Sequence, residues 1–284
     1  TICLTASFNF FPIRVNAESL SDAEISREKQ SDRASRRDRA LNEFWDRESC
    51  VGIGAPLDKT DITNLRTQAR GWRNGLNNLE DAFEDFAIND SFSGRIRSNT
   101  RRFFSPYRTR QIGRRARVEP DGIADLSAEV TIVRRNRTVT RNVRFANAVF
   151  AEVTTTQEFL RPNSGSGDFQ VGGLVDAVSR IRNNRWSLFR QRVAPASIQV
   201  TRPRAIFVLM VPSSTLISSN LIGLANRKGV ALYKSTLCGT GGDIGVNESQ
   251  MGQQVLLNPS NNHPKEPTRL PSGLDGTLFV GAPP

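Results

Sequence analysis

The sequence predicts an α/β fold with one mixed central sheet. Two segments with strand-like alternation, residues 123–133 and 139–153, flank a short polar turn and so predict a long antiparallel hairpin. A helical pattern over residues 166–182 leads to the continuous apolar run AIFVLMV at residues 205–211, which is typical of a buried central strand. A hairpin joined by a helical crossover to a central strand gives a sheet with both antiparallel and parallel neighbours.

The other elements complete the order helix, three strands, helix, strand, helix, strand. Apolar residues recur at three- and four-residue spacing across residues 59–90, which predicts one amphipathic helix packed on the core. A first strand is predicted at residues 114–119, a short helix near 215–228, and a last strand at 230–233.

Composition divides the chain into three regions. Residues 1–55 form an N-terminal segment, within which the densely charged stretch 18–48 is expected to be a solvated helix or a flexible arm. Residues 56–235 form the α/β domain with its leading helices. Residues 236–284 are rich in Gly, Pro, Asn and Ser and are expected to form an irregular C-terminal tail.

The first segment leaves two interpretations of localisation open. Residues 1–17 are fairly apolar and end in a small-x-small pattern typical of a secretory signal, but they also fit an ordinary first strand. The protein is therefore expected to be secreted or delivered as an effector, or else cytoplasmic.

Without this segment, Cys50 and Cys238 remain as a candidate disulfide pair. A membrane span needs roughly 18–20 consecutive apolar residues, and no stretch approaches that length, so none is predicted.

The charge balance predicts a polyanionic partner. The formal net charge is +11, and the chain contains 34 arginines and 5 lysines. Guanidinium groups bind phosphate bidentately and stack on bases, so nucleic acid, either DNA or RNA, is the expected partner. The alternative is a basic composition without such a partner.

The most basic part of the chain, residues 93–119, interleaves arginines with Phe103, Phe104 and Tyr107. Such a pattern suits phosphate contact combined with base stacking. The alternative is a solvated charged face with the aromatic rings turned inward. The candidate nucleic-acid-binding residues are Arg101, Arg102, Arg108, Arg110, Arg114 and Arg115.

The scarcity of histidine and cysteine excludes several catalytic classes. The single histidine, His263, lies in the tail, and the three cysteines form no CxxC pair. Catalysis by Ser-His-Asp or Cys-His groups needs a histidine held by a scaffold. Zinc ribbons need paired cysteines, and zinc metalloprotease motifs need two histidines.

Two carboxylates are predicted to meet at the open end of the hairpin. If Asn136 and Arg137 form a two-residue turn, Asp121 lies opposite Glu152, with Cβ atoms roughly 4.5–5.5 Å apart on one side of the sheet. Paired carboxylates offer hard oxygen ligands, which suit Mg²⁺ or Mn²⁺. Two solvated carboxylates at strand ends are the alternative, and a bulge in so long a hairpin would shift the register.

The segment Pro120-Asp121-Gly122, then Glu152-Val153-Thr154 at a strand end, then a helix containing Gln170, resembles the PD-(D/E)XK nuclease superfamily. This superfamily has the restriction-endonuclease fold. The similarity is greatest to the toxin branch found at the C-termini of bacterial polymorphic and Rhs-type toxins. It covers residues 110–235 and is carried by residues 120–124, 150–153, 166–176 and 229–235.

The resemblance implies an αβββαβ core and metal-dependent hydrolysis of DNA. Asp121 and Glu152 would bind the metal, the carbonyl of Val153 would complete the metal site, and Gln170 would orient substrate or water. Asp176 also matches a family position and is expected to make a structural bond. A toxin of this type is expected to have a cognate immunity protein, because an active nuclease endangers its producer.

One position departs from the family pattern, because Thr154 occupies the place of the family's lysine and no lysine occurs between Lys59 and Lys228. Thr154 could support catalysis together with the metal. Another cation, such as Lys228 or an arginine, could take the lysine's place. The core could also be catalytically weak or inactive and retained for binding nucleic acid. A structural or protein-binding role for the basic face is a further alternative.

Overall fold

The computed structural model describes residues 22–68, 79–90, 96–108, 115–135, 137–164, 170–194, 197–198, 203–239 and 249–258. The chain divides into two units, residues 1–37 and 38–284. In the first unit, residues 22–37 are helical. The second unit contains every strand that the structure describes.

Five α-helices occur in the described part of the chain: α1 (Asp22–Cys50), α2 (Lys59–Gln68), α3 (Leu79–Asp85), α4 (Gln170–Val193) and α5 (Ser219–Lys228). A π-helical turn, Phe86–Asp90, continues α3. None of the described helices has the length and apolar character needed to cross a membrane.

The strands, in chain order, are β1 (Ala55–Pro56), β2 (Arg97–Ser98), β3 (Phe103–Arg108), β4 (Arg115–Val118), β5 (Gly122–Arg134), β6 (Arg137–Val153), β7 (Phe159–Leu160), β8 (Ser197–Ile198), β9 (Ala205–Val211), β10 (Leu216–Ile217), β11 (Val230–Gly239), β12 (Gln250–Met251) and β13 (Val255–Leu256).

Most described strands join one large mixed sheet, in the order β1-β11-β9-β6-β5-β2. Strands β5 and β6 form a long antiparallel hairpin, whereas β6, β9 and β11 run parallel. The chain passes from β6 to β9 through α4 and from β9 to β11 through α5. The predicted α/β class, with a hairpin and helical crossovers in one mixed sheet, is confirmed.

The central position of strand β9, covered on both faces, explains why its sequence is apolar throughout. Ile206, Val208 and Met210 belong to one buried cluster, and Phe207 and Leu209 belong to another. Successive side chains of a strand point to opposite faces, so a strand covered on both faces needs apolar residues at every position. The prediction of a buried central strand at residues 205–211 is therefore confirmed.

One predicted helix is only partly described, and another is longer than predicted. The pattern over residues 59–90 corresponds to α2 and α3, and residues 69–78 between them lie outside the described part. Helix α4 runs well past residue 182, to Val193. Trp186 and Phe189 extend its apolar face and pack against Phe145, with ring centroids 6.1 and 6.4 Å away.

The predicted first strand does not join the central sheet. Strand β4 pairs with β3 as a separate two-stranded ribbon, and the short strand β2 lies beside β5 instead. Within β4, Val118 packs among the apolar residues of α4, while Arg117 is exposed. A strand that alternates arginine with small or apolar residues suits a surface ribbon better than a sheet buried on both faces.

The domain extends beyond both predicted boundaries. Residues 38–50 of α1 pack onto the sheet, and a disulfide joins Cys50 to Cys238, as the cysteine count predicted. Residues 249–258, predicted to belong to an irregular tail, add β12 and β13 to β11. Residues 1–21 and 259–284, with the proposed signal segment and His263, lie outside the described residues.

The buried face of α1 is polar, which is why its charged sequence suggested a solvated arm. Asp46 pairs with the buried Lys234 of β11 at 2.7 Å. Asn42 accepts the backbone N–H of Ile217 at 2.9 Å, and the Ser49 hydroxyl donates to the carbonyl of Gln253 at 2.8 Å. Hydrogen-bonded polar side chains can be buried at little cost, but composition does not distinguish them from solvated ones.

Candidate functional site

The hairpin brings Asp121 and Glu152 to facing positions. Gly122 pairs with Ala151, Asp121 directly precedes Gly122, and Glu152 directly follows Ala151. The predicted turn is nevertheless wrong by one position. Arg134 pairs with Arg137, so the turn comprises positions 135 and 136. Arg135 has a φ of 42°, and residue 136 is outside the described residues.

A bulge restores the register that the turn alone would have shifted. Ala124 pairs with Val149 and Leu126 pairs with Phe145, so residues 146–148 of β6 stand against one residue of β5. That residue is Asp125, whose carboxylate accepts the backbone N–H of Asn147 at 2.9 Å. The predicted facing of the two carboxylates is thus correct because two departures from a regular hairpin cancel.

Asp121 is fixed by backbone contacts on both sides. Its Oδ2 accepts a hydrogen bond from the N–H of Val153 at 2.6 Å, and its carbonyl accepts one from the N–H of Asn99 at 2.9 Å. Burial raises the pKa of Asp121 to about 7, against the lowering effect of the Val153 hydrogen bond, and Glu84 and Glu80 raise it further. The carboxyl group therefore titrates near neutral pH.

Close packing explains why a glycine follows Asp121. A Cβ on Gly122 would lie 2.4 Å from Cγ2 of Ile96 and 2.7 Å from Cδ1 of Ile88. A side chain here would force these isoleucines or the strand to shift, so glycine allows the close packing beside Asp121.

Glu152 carries a buried oxygen with no partner. Its Oε2 accepts no hydrogen bond from any residue that the structure describes. Burial, and then the charge of Asp121, raise the pKa of Glu152 well above its ordinary value, while a hydrogen bond from Gln170 lowers it. The facing carboxylates thus disfavour each other's ionised form, as expected for two acids that share a site.

Gln170, the first residue of α4, connects the two strands at the site. Its Nε2 donates to the carbonyl of Glu119 at 2.8 Å, and its side chain also hydrogen-bonds Glu152. The predicted proximity of Gln170 to the carboxylate pair is therefore present in the structure. The start of α4 is placed there because Val171 and Leu174, in its first turn, are buried against the sheet.

Sequence reasoning missed two acids of α3 that border the pair. The Glu80 carboxylate accepts the N–H of Thr155 at 3.0 and 2.9 Å, and also its hydroxyl. Burial, and then Asp81, raise the pKa of Glu84. Both acids also raise the pKa values of Asp121 and Glu152. Their four-residue spacing on the polar face of a helix was the available signal.

The lysine position is occupied by a buried, hydrogen-bonded threonine. Thr154 donates its N–H to the carbonyl of Met210 at 3.2 Å, and its hydroxyl lies 3.2 Å from that of Thr156.

Lys228 does not take the lysine's place. Its Nζ lies 2.5 Å from Asp176 just before β11, whereas Glu152 is near the far end of the parallel strand β6. Asp176 also pairs with Arg180, at 3.3 Å, which gives it a structural role.

The candidate nucleic-acid-binding arginines are only partly described. Arg101 and Arg102 are exposed, and Arg102 pairs with Glu119 at 2.8 Å. Arg108 faces Arg115 across β3 and β4, but their side chains are outside the described part, as are Arg110 and Arg114 altogether.

The aromatic residues of the basic segment 93–119 differ in orientation, and each of the two described rings fits one of the two interpretations, base stacking or packing in the core. Phe103 turns inward and packs on Phe150, with ring centroids 4.7 Å apart. Phe104 is 58% exposed, and the guanidinium of Arg117 lies 5.1 Å from its ring. One ring thus belongs to the core and the other is available on the surface. The side chain of Tyr107 lies outside the described residues.

The donor set at the pair consists of two carboxylates and neighbouring backbone carbonyls. Among the residues that the structure describes, no group of three His, Cys, Asp or Glu side chains is arranged to hold a metal ion.

Comparison of the chain with protein-family models and with curated proteins found no match.

Proposed function

We propose that this protein is a divalent-metal-dependent nuclease of the PD-(D/E)XK type that hydrolyses DNA. The observation that carries the proposal is the buried, unpartnered Oε2 of Glu152 beside Asp121. Burying a carboxylate oxygen without a hydrogen bond is costly, and two facing carboxylates repel unless a cation or proton lies between them. Mg²⁺ or Mn²⁺ fits hard oxygen donors, and the carbonyl of Val153 would add a third ligand.

The residues around the pair are suited to hold such a site rigid. When bound, a divalent ion lowers the pKa of a water molecule and stabilises negative charge on the phosphate. The N–H of Val153 fixes Oδ2 of Asp121, so Oδ1, which has no hydrogen-bond partner among the described residues, is left to bind the ion. Gln170 holds Glu152 and borders the place where substrate or water would lie.

The proposal includes export as a toxin or effector. The Cys50–Cys238 disulfide supports it, because disulfides persist mainly in oxidising compartments. The net charge of +11 supports a nucleic-acid substrate. A producer of such an enzyme needs a cognate immunity protein, which we include as an expected partner.

Thr154 favours a second candidate, a nucleic-acid-binding module with a weak or inactive nuclease site. The threonine hydroxyl brings no positive charge, and it lies 3.2 Å from another hydroxyl, that of Thr156. In this case the exposed arginines bind the phosphate backbone while the carboxylate pair no longer supports hydrolysis.

A cleavage assay tests the proposal. Supercoiled plasmid and a structured RNA are incubated with the protein in Mg²⁺, Mn²⁺ or EDTA, beside Asp121→Ala and Glu152→Ala. Each variant should lose nearly all activity, whereas Glu158→Ala, which removes an exposed carboxylate, should keep it. Intact DNA and RNA in both metals would overturn the nuclease proposal. Salt-sensitive binding without cleavage would then select the binding module.

A further inference from the structure

We infer that a small cavity beside the C-terminal half of α4 binds a single unstacked nucleotide, which makes single-stranded or locally unpaired nucleic acid the preferred substrate class. This inference deepens the proposed function and rests on it. The cavity, here called the side pocket, has a volume of about 260 Å³ and lies between the start of β3, the β6 bulge and α4. Ligand pockets range over roughly 300–1,000 Å³, so this one suits one nucleotide and not an oligonucleotide.

Helix α4 supplies the polar wall of the side pocket. Asn184, Arg185 and Leu188 line it from one side of the helix. Among the residues that the structure describes, the side chains of Asn184 and Arg185 have no hydrogen-bond or ion-pair partner, and both residues are exposed. Leu188 is 46% exposed, so an apolar surface lies beside an unpaired guanidinium and an unpaired amide.

The opposite wall is a stacked pair formed by Arg101 and Phe103. The guanidinium of Arg101 lies 5.6 Å from the centroid of the Phe103 ring, and that ring is fixed against Phe150. A guanidinium plane held over an aromatic ring is a platform on which a base can stack, and its N–H groups remain able to contact phosphate or a base edge.

The bulge residue Asn147 supplies the third contribution. Asn147 lines the side pocket with a φ of 55°, a left-handed conformation that asparagine adopts more readily than most non-glycine residues. Asp125 holds it by accepting its backbone N–H. Bulges often re-aim a side chain near an active site. The Asn147 amide offers both a donor and an acceptor, as hydrogen bonding to a base edge requires.

The side pocket is mechanically tied to the carboxylate pair. The Asn99 amide donates to the carbonyls of Arg101 and Pro120, at 2.9 and 2.7 Å. Phe150, under the stacked pair, lies two residues before Glu152 on the same side of β6. Helix α4 rises about 1.5 Å per residue, so its pocket residues lie roughly 20 Å from Gln170 along the axis, the length of about six stacked nucleotides.

Together these groups match the chemistry of a nucleotide outside a base stack. Two guanidinium groups suit a phosphate and a base face, two amides suit a base edge, and Leu188 and Phe103 provide apolar contact. A base inside a duplex presents only its groove edge, whereas a cavity that surrounds a base requires the base to be unstacked.

Binding measured in EDTA tests the inference without cleavage. Fluorescence anisotropy follows a labelled 12-nucleotide single strand and the corresponding duplex on wild type, Arg185→Ala and Asn147→Gly. Glycine accepts the positive φ, so Asn147→Gly removes the amide without disturbing the bulge. Arg190→Ala, which removes an exposed arginine of α4 outside the pocket, is the matched charge control.

We expect Arg185→Ala and Asn147→Gly to weaken single-strand binding about tenfold, since one base contact contributes about 1–3 kcal/mol. Duplex binding should change no more than in Arg190→Ala. Equal losses in Arg185→Ala and Arg190→Ala on both ligands would overturn the inference, even if the wild type cleaves plasmid. Selective loss of single-strand binding in a protein that cleaves nothing would instead support the side pocket and overturn only the nuclease proposal.

Discussion

The backbone N–H of Val153, the residue directly after Glu152, donates a hydrogen bond to Asp121 at 2.6 Å. This bond joins the two strand ends and holds the facing carboxylates in place, although burial disfavours the ionised form of both and the charge of Asp121 further disfavours ionisation of Glu152. Burying the ionised carboxylates among other acids lowers the stability of the folded state, and this cost is open to measurement.

Neutralising either carboxylate should stabilise the metal-free protein while abolishing cleavage. Asp121→Asn and Glu152→Gln keep the shape of each side chain and remove one charge, so at pH 8 the free energy of unfolding should rise by about 1 kcal/mol or more. Cleavage should fall by about three orders of magnitude, since the metal loses a ligand. Urea denaturation and a plasmid assay measure the two effects.

Asp125→Asn is the matched control for stability. Asp125 pairs with Arg144 and holds the bulge through the N–H of Asn147, so its charge is stabilising and its neutralisation should lower stability. If Asp121→Asn and Asp125→Asn shift stability in the same direction, the buried charge of Asp121 does not destabilise the folded state.

The stability of the metal-free protein should fall as pH rises from about 4 to about 7. The folded-state pKa of Asp121 is raised from its ordinary 3.8 to about 7, so in this window the folded state binds more protons than the unfolded chain. Stability falls with pH wherever the folded state binds the extra proton. Urea titrations at several pH values measure this slope, and Asp121→Asn should reduce it.

Metal affinity should show the opposite pH dependence. A divalent ion needs the ionised forms of Asp121 and Glu152, so the Mn²⁺ association constant should fall by at least about tenfold for each pH unit below 7. Isothermal titration calorimetry at pH 5.5, 6.5 and 7.5 measures it. A pH-independent constant would mean that Mn²⁺ binds at another site.

Substitutions of Thr154 distinguish the remaining interpretations of the missing lysine. Thr154→Lys should keep or raise the cleavage rate, because a positive charge is added near the pair. Thr154→Val should lower the rate about tenfold if the hydroxyl helps to hold water or substrate. Rates unaffected by Thr154→Val but raised by Thr154→Lys would show that the natural residue contributes nothing to catalysis.

Glu80→Ala should destabilise the protein by about 1–3 kcal/mol, because the N–H and hydroxyl of the buried Thr155 lose their acceptor. It should also lower the pKa of Asp121 and shift the pH window of stability downwards. Asp81→Ala, an exposed neighbour in the same helix, should change the free energy of unfolding by less than about 0.5 kcal/mol.

Removing the disulfide should cost about 2–5 kcal/mol. The double substitution Cys50→Ser with Cys238→Ser releases a bond that spans 188 residues of sequence and joins the end of α1 to β11. Reducing agent should destabilise the wild type by a similar amount and leave the double variant unchanged. Denaturant titrations with and without dithiothreitol provide the comparison.

The amino-acid sequence by itself determined the class of the fold. The periodicity of residues 123–133 and 139–153 and the continuous apolar run at 205–211 are local signals, and each became the expected strand. The pairing of Asp121 with Glu152 was predictable only in part. Its register depends on a bulge at Asn147 that has no clear sequence signature, and the prediction was correct because the bulge offset a misplaced turn.

Tertiary structure alone decided what surrounds that pair. Glu80 and Glu84 reach it from a helix distant in sequence, and the polar residues of α1 that suggested a solvated arm are buried because Lys234 and backbone groups of the sheet satisfy them. Local patterns record which side chains can form a helix or a strand. They do not record which distant groups will neutralise or hydrogen-bond a charged side chain, and that pairing decides whether it is buried.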